Sequence, residues 1–313
     1  MFAWYLFPVI FCISIFQFIG HFGNFNLILL HYRLPNLRTN YGILLTILTI
    51  CQSICLLFEN INLFYAIYGI ILGHPIYRDS CFYAMFPYVF FNPLQQGIVT
   101  MIAIDFLLCV IFPIRYRSFH QPFYLTLLLI PPAAHGLYLV IFGFLLIDKA
   151  ELKLCNPPSS INPQINSINY NISLCTCSIT VIAYCISFFL IYLKTRQRSR
   201  VDIESKTLKS LSVIVIVFII TRFLGIFAIN IMQIMNFSTG SIIAMQNFLV
   251  IPALIGFSQN FYVCYFRSKE YRGMFDKQLW PILKYFKKTN YAHPTTRATT
   301  TISQANKLPK INS

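Results

Sequence analysis

Apolar residues in this chain run together in stretches of twenty or more, and polar residues gather in the short gaps between them. A helix that crosses a bilayer needs about 20 predominantly apolar residues. Seven stretches reach that length, at about 3–30, 41–66, 82–111, 123–147, 172–193, 208–232 and 241–266. The pattern therefore predicts an all-α membrane protein, a seven-transmembrane helix bundle. The first run starts almost at Met1 without a basic segment and is too long for the apolar part of a signal peptide, so it is expected to remain as a helix. Arg267, Tyr271, Arg272 and Phe275 suggest a short amphipathic eighth helix over about 267–275. Residues 276–313 read as a basic, Thr-rich tail, expected to be largely disordered.

Composition supports the pattern. Hydrophobic residues make up 57% and charged residues 11%, where a soluble domain carries roughly 25% charged residues. Too few polar side chains remain to cover a soluble surface, which excludes a soluble enzyme, a disordered chain and a coiled coil. The net charge of +15 would suit nucleic acid if it formed a patch, but the basic residues lie in short loops and the tail. There they act as orientation signals. The segments 31–40, 112–122, 194–207 and 267–313 carry nineteen Lys and Arg, and the alternate segments carry three. The basic side faces the cytoplasm, so the N-terminus is expected outside and the C-terminus inside. Seven of the ten cysteines sit in apolar runs, and no Cys or His spacing suits a metal. No metal, cofactor or nucleic-acid partner is expected. Receptors, channels and transporters share this plan, but the clear interruptions, Pro93 and Pro131-Pro132, lack the symmetry between halves that a transporter would need.

Motifs narrow the choice. Asp105 follows Cys81 by 24 residues, about 36 Å of helix, or one bilayer crossing. Asp105-Phe106-Leu107 is followed by Pro113-Ile114-Arg115-Tyr116-Arg117. The spacing resembles the rhodopsin-like pattern of Asp-Arg-Tyr with a later Pro and Tyr, except that Phe106 stands in the arginine place. This stretch resembles the nematode serpentine chemoreceptors of the srsx class. So do Cys51-Gln52-Ser53-Ile54-Cys55, Cys155-Asn156-Pro157-Pro158, Ser258-Gln259-Asn260-Phe261-Tyr262-Val263, Phe266-Arg267-Ser268 and Glu270-Tyr271-Arg272. The resemblance covers about residues 20–275.

That resemblance implies a G-protein-coupled receptor, not an enzyme, in the plasma membrane and in the sensory cilium of a chemosensory neuron. It implies a small environmental or pheromone-like ligand in the outer half of the bundle, and a heterotrimeric G protein at the inner face, with Asp105, Phe106, Pro113, Arg115, Tyr116, Arg117 and Asn260 as the inner-switch residues beside the basic run Lys194 to Lys209. Cys81 and Cys155 are expected to form a disulfide across the outer face, with two free thiols or a bridge through Cys175 as alternatives. Asp105 has Tyr116, Arg115 and Arg117 as candidate partners. Asn24, Gln52 and Asn260 are intramembrane amides, Gln52 standing where related receptors carry a sodium-binding Asp and Asn260 at the start of a degenerate Asn-Pro-x-x-Tyr. Pocket candidates are Tyr88, Asn92, Glu59 and Arg222. Arg222 is the basic residue deep in a span, expected to pair with Glu59, with an anionic ligand group, or with carbonyls and packing partners. The absence of Lys from Ser241 to Phe266 excludes a retinal protein, and Tyr88 replaces the Asp that an amine receptor needs. Asn171-Ile172-Ser173 and Asn236-Phe237-Ser238 are candidate glycosylation sites on outer segments. A short-peptide receptor of the same fold and a ligand-gated odorant channel are the alternative functions.

Overall fold

The computed structural model describes residues 7–71, 73–152, 155–197, 216–217 and 219–290. Six helices in it are long and apolar enough to cross a bilayer. In chain order, span 1 is Phe7–Arg33, span 2 Asn40–Ala66, span 3 Arg78–Ile111, span 4 Gln121–Leu145 and span 5 Pro163–Gln197. Span 7 is formed by Thr239–Phe248 and Val250–Arg267. Span 6 is described over the apolar helix Ile219–Ile234; 208–215, its expected first turns, lie outside the described residues. The basic run 198–209 and the Thr-rich patch 295–301 lie outside them too.

Local signals set several ends. The Thr39 side chain accepts from Gly42 N at 3.1 Å and caps the start of span 2. A Cβ on Gly42 would collide with the Leu37 carbonyl, so only glycine allows this approach. The helix-forming runs also exceed the apolar runs that announced them. Span 5 starts at Pro163, nine residues before the expected 172, because its first turns are polar yet helical. The expected interruptions at Pro93 and Pro131-Pro132 do not occur: spans 3 and 4 run through them. Neighbouring helices hold a bundle helix straight enough to tolerate the lost donor.

Span 3 is the hub, packed on spans 2, 4 and 5, while span 1 lies against spans 2 and 7. Spans 3 and 4 touch through small residues. A Cβ on Gly97 would sit 2.7 Å from Pro132 Cβ, and one on Gly136 would sit 2.8 Å from the Phe90 carbonyl oxygen. Small residues let helices approach closely where no hydrophobic effect drives them together. Thr100 and Thr180 share a 2.7 Å hydroxyl bond between spans 3 and 5. Phe18, Phe25, Phe123 and Ile234 point outward and exposed, as lipid-facing side chains do.

At the Cys81 end, a two-residue hairpin pairs Ile76 with Leu152 and Tyr77 with Glu151. Arg78 pairs with Asp148 and donates from its backbone N to the Ala150 carbonyl at 2.9 Å. The Cys81–Cys155 disulfide, with Cα atoms 5.6 Å apart, fixes the loop between spans 4 and 5. Cys175 is free, on span 5.

After span 7 comes the helix Lys269–Asn290, longer than the expected 267–275; residues 276–290, expected to be disordered with the tail, continue it, their apolar Leu279, Trp280, Ile282 and Leu283 being too short a run among basic residues to mark a span. The chain divides into the units 1–275 and 276–313. Within the first unit, Phe275 is fully buried against Phe261, and the Tyr271 hydroxyl lies 3.3 Å from His31 Nε2 of span 1.

Candidate functional site

Two polar centres lie along span 3, one toward each end. Between the hairpin loop and the middle of the bundle is a cavity of about 130 Å³. Spans 2, 3, 4, 5, 6 and 7 all contribute to it, with Pro157 and Pro158 of the disulfide-tethered loop closing one side. Its polar lining includes Glu59, Tyr88, Asn92, Gln96, Ser173, Arg222 and Gln246. All four residues expected at a pocket, Tyr88, Asn92, Glu59 and Arg222, are there. Asn166, Asn169, Tyr170, Gln96 and Gln246 are there too without having been singled out. Gln95-Gln96 and Gln246 were legible as polar residues inside apolar runs. The asparagines were not, because they sit in the polar first turns of span 5.

Arg222 reaches the cavity from a widened π-helical turn, Ile219–Phe223. Such turns re-aim side chains and are common at functional sites. The guanidinium donates to Asn92 Oδ1 at 3.1 Å and stacks over the Phe257 ring at 4.6 Å. It makes no ion pair with Glu59; the ion pair found among the described residues is Arg78–Asp148. Glu59 is 1% exposed and accepts from Asn62 Nδ2 at 3.1 Å, with the Tyr88 hydroxyl beside it. The expected contact between Arg222 and Glu59 is therefore replaced by a bond to Asn92, an uncharged acceptor on the nearer face of span 3.

Beneath this cavity is a chamber of about 20 Å³ lined by Gln52, Gln95, Gln259 and Asn260, with Arg222 and Gln96 shared between the two. Asn260 Nδ2 donates to Gln52 Oε1 at 2.8 Å, Gln52 Nε2 donates to the Gly256 carbonyl at 3.2 Å, and Asn24 Nδ2 donates to the Phe257 carbonyl at 3.1 Å. Asn24, Gln52 and Asn260 thus lock spans 1, 2 and 7 together, and Asn260, expected with the inner switch, lies with Gln52 in this chamber instead of bonding to the Asp105 cluster. An amide in lipid must find such partners inside the protein.

At the other end of span 3, Asp105 is 4% exposed and accepts two hydroxyl bonds on Oδ1, from Tyr116 at 2.8 Å and Tyr124 at 2.9 Å. Asn40 Nδ2 donates to the Tyr116 hydroxyl at 3.2 Å. Pro113 starts the short helix Pro113–Arg117 that brings Tyr116 back to span 3, a first-turn position where its missing N–H is no loss. Burial and the Asp105 carboxylate hold the Tyr116 hydroxyl above the ordinary phenol range, so it remains a donor. Of the expected partners, Tyr116 is one, Arg115 is exposed, and the Arg117 side chain lies outside the described ones. Tyr124 was missed because it opens span 4 as an aromatic residue among others. Phe106, in the arginine place, is half-buried beside the cluster and takes no part in these bonds.

The two glycosylation candidates differ. Asn171 lies on the span 5 helix, not on a loop, and the Ser173 of its sequon is buried. Asn236 is exposed in the turn between spans 6 and 7 with φ of 56°, a conformation asparagine accepts.

Comparison with curated proteins finds no match. A family model described as serpentine type 7TM GPCR chemoreceptor Srsx matches residues 17–280. That match runs from span 1 to the helix after span 7. By it the chain belongs to the Srsx family of serpentine chemoreceptors, multi-pass membrane proteins of the seven-transmembrane G-protein-coupled kind.

Proposed function

We propose that the protein is a chemosensory receptor which binds a small environmental or pheromone-like molecule in the cavity and activates a heterotrimeric G protein at the Asp105 end. The observation that carries this reading is the cavity itself, which draws polar side chains from five spans to one place near the disulfide-tethered loop. A molecule bound there touches spans 2, 3, 5, 6 and 7 together, so differential contacts in two bundle arrangements shift the population between them. The basic loops and Arg115 lie at the other end, where charge complementarity favours a G-protein surface. The charge bias supports an extracellular N-terminus and a cytoplasmic C-terminus in the plasma membrane, including that of a sensory cilium. The same bias disfavours an odorant-gated channel, whose N-terminus lies inside. The cavity of about 130 Å³ is small for a peptide. Two sites and a population shift account for signalling, and no step of it is catalytic. Calcium or cyclic-nucleotide responses of cells expressing the protein, challenged with fractionated odour and pheromone extracts, test the reading. An active fraction should lose its effect on Ala253→Phe, which fills the cavity, at equal surface expression. A response that Ala253→Phe leaves intact would place the ligand elsewhere.

A further inference from the structure

We infer that the ligand is a small carboxylic acid that also carries a hydrogen-bond donor, an amino acid or hydroxy acid by class, its carboxylate held by Arg222 and its donor by Glu59. The inference rests on the receptor reading above and specifies its ligand.

Arg222 is placed at a cost. An arginine at the centre of a span is unfavourable even on the lenient insertion scale. The fold nonetheless turns it inward through a widened helical turn, to line both the cavity and the chamber below. A guanidinium has five N–H donors and no acceptor. Among the described residues, Arg222 has one hydrogen bond, to Asn92, and the face of Phe257. No carboxylate of the described residues lies within 4.0 Å of it. Planar forked donors are the groups that hold a carboxylate through two parallel bonds.

Glu59 is the opposite pole. It lines the same cavity and accepts from Asn62, the Tyr88 hydroxyl lies against the carboxylate, and Oε1 is buried. Among the described cavity-lining residues, these two are the charged ones. They face one space and do not neutralise each other by contact. A neutral apolar ligand would strip water from both poles and pair with neither, which is unfavourable for each. A plain carboxylate would satisfy Arg222 but bring a like charge toward Glu59. An added ammonium or hydroxyl donor removes that conflict by joining Asn62 and Tyr88 at the Glu59 carboxylate. Size agrees: a cavity of about 150 Å³ accepts benzene, so one of about 130 Å³ suits a small amino or hydroxy acid.

Thermal stabilisation and direct binding of the purified full chain, in lipid nanodiscs without G protein, test this. The probes are 2-amino and 2-hydroxy carboxylic acids of increasing chain length, each beside its primary amide and its unsubstituted parent acid. At least one such acid should stabilise the protein, and bind about tenfold or more tightly than its amide and its parent acid. Arg222→Gln should abolish the preference for acid over amide. Glu59→Gln should abolish the preference for the donor-bearing acid over its parent while keeping that for acid over amide. If Arg222→Gln does not fold, Arg222→Lys, which keeps the charge and loses the fork, should reduce acid affinity and keep the order. Stabilisation by no acid, equal binding of acid and amide, or an acid preference that survives Arg222→Gln overturns the inference. Because binding is read without signalling, such a failure leaves the response to extracts as a separate question.

Discussion

Asp105 and Arg222 are both ionisable residues in apolar surroundings, and among the described residues neither is held by an opposite charge. Asp105 accepts from two tyrosines and Arg222 donates to an asparagine. The sequence located both residues, and their isolation among apolar neighbours was the signal. It did not locate Tyr124, because a tyrosine at the start of a span is ordinary and its approach to Asp105 depends on how spans 3 and 4 cross. Hydrogen bonds to a charged group contribute about 1.5–3 kcal/mol each. Taking the tethered arrangement as the resting state, Tyr116→Phe with Tyr124→Phe should raise basal signalling about tenfold or more at matched surface expression, since about 1.4 kcal/mol is a factor of ten. Asp105→Asn should act in the same direction. Basal signalling equal to that of the parent protein would reduce Asp105 to an anchor for the end of span 3.

At the scale of elements, hydrophobic runs marked where helices lie in the bilayer but not where they stop. Pro163 starts a helix whose first turns are polar, and Lys269–Asn290 continues into a basic segment with no span-length apolar run. Hydrogen bonding within the helix, unlike burial, needs no apolar residue. Helix contacts were not legible either: the seam between spans 3 and 4 rests on Gly97 and Gly136, glycines with no motif around them. Gly136→Leu should drive the Phe90 backbone away and abolish surface expression. Gly273→Ala, where a Cβ meets nothing within 4 Å, should be neutral or stabilising by up to about 1 kcal/mol through helix propensity. The disulfide was legible through its family resemblance. Cys81→Ser and Cys155→Ser should each lower the thermal midpoint, at a cost of about 2–5 kcal/mol. The double substitution should cost no more than either alone; additive losses would mean that the two thiols act separately.

For the whole molecule, composition and the spacing of apolar runs were enough for a seven-span bundle, because lipid forces every span to satisfy its own backbone. The motifs Cys51–Cys55, Asp105–Arg117, Cys155–Pro158 and Ser258–Arg272, in that order, were enough for the family, which the match over residues 17–280 shows. The shape of the cavity was not readable, since it arises where six spans and a loop meet. Orientation rests on the charge bias. Epitope tags at Met1 and Ser313 should stain intact and permeabilised cells respectively, and reversed staining would revive the channel reading.

Guanine-nucleotide exchange tests the central claim most directly. Membranes carrying the receptor are mixed with a panel of purified heterotrimeric G proteins, with the Tyr116→Phe, Tyr124→Phe variant alongside. Exchange on at least one heterotrimer above that of receptor-free membranes, and faster still with the variant, is the result predicted here. Exchange at the receptor-free rate on every heterotrimer, with both proteins folded in the membrane, would contradict it.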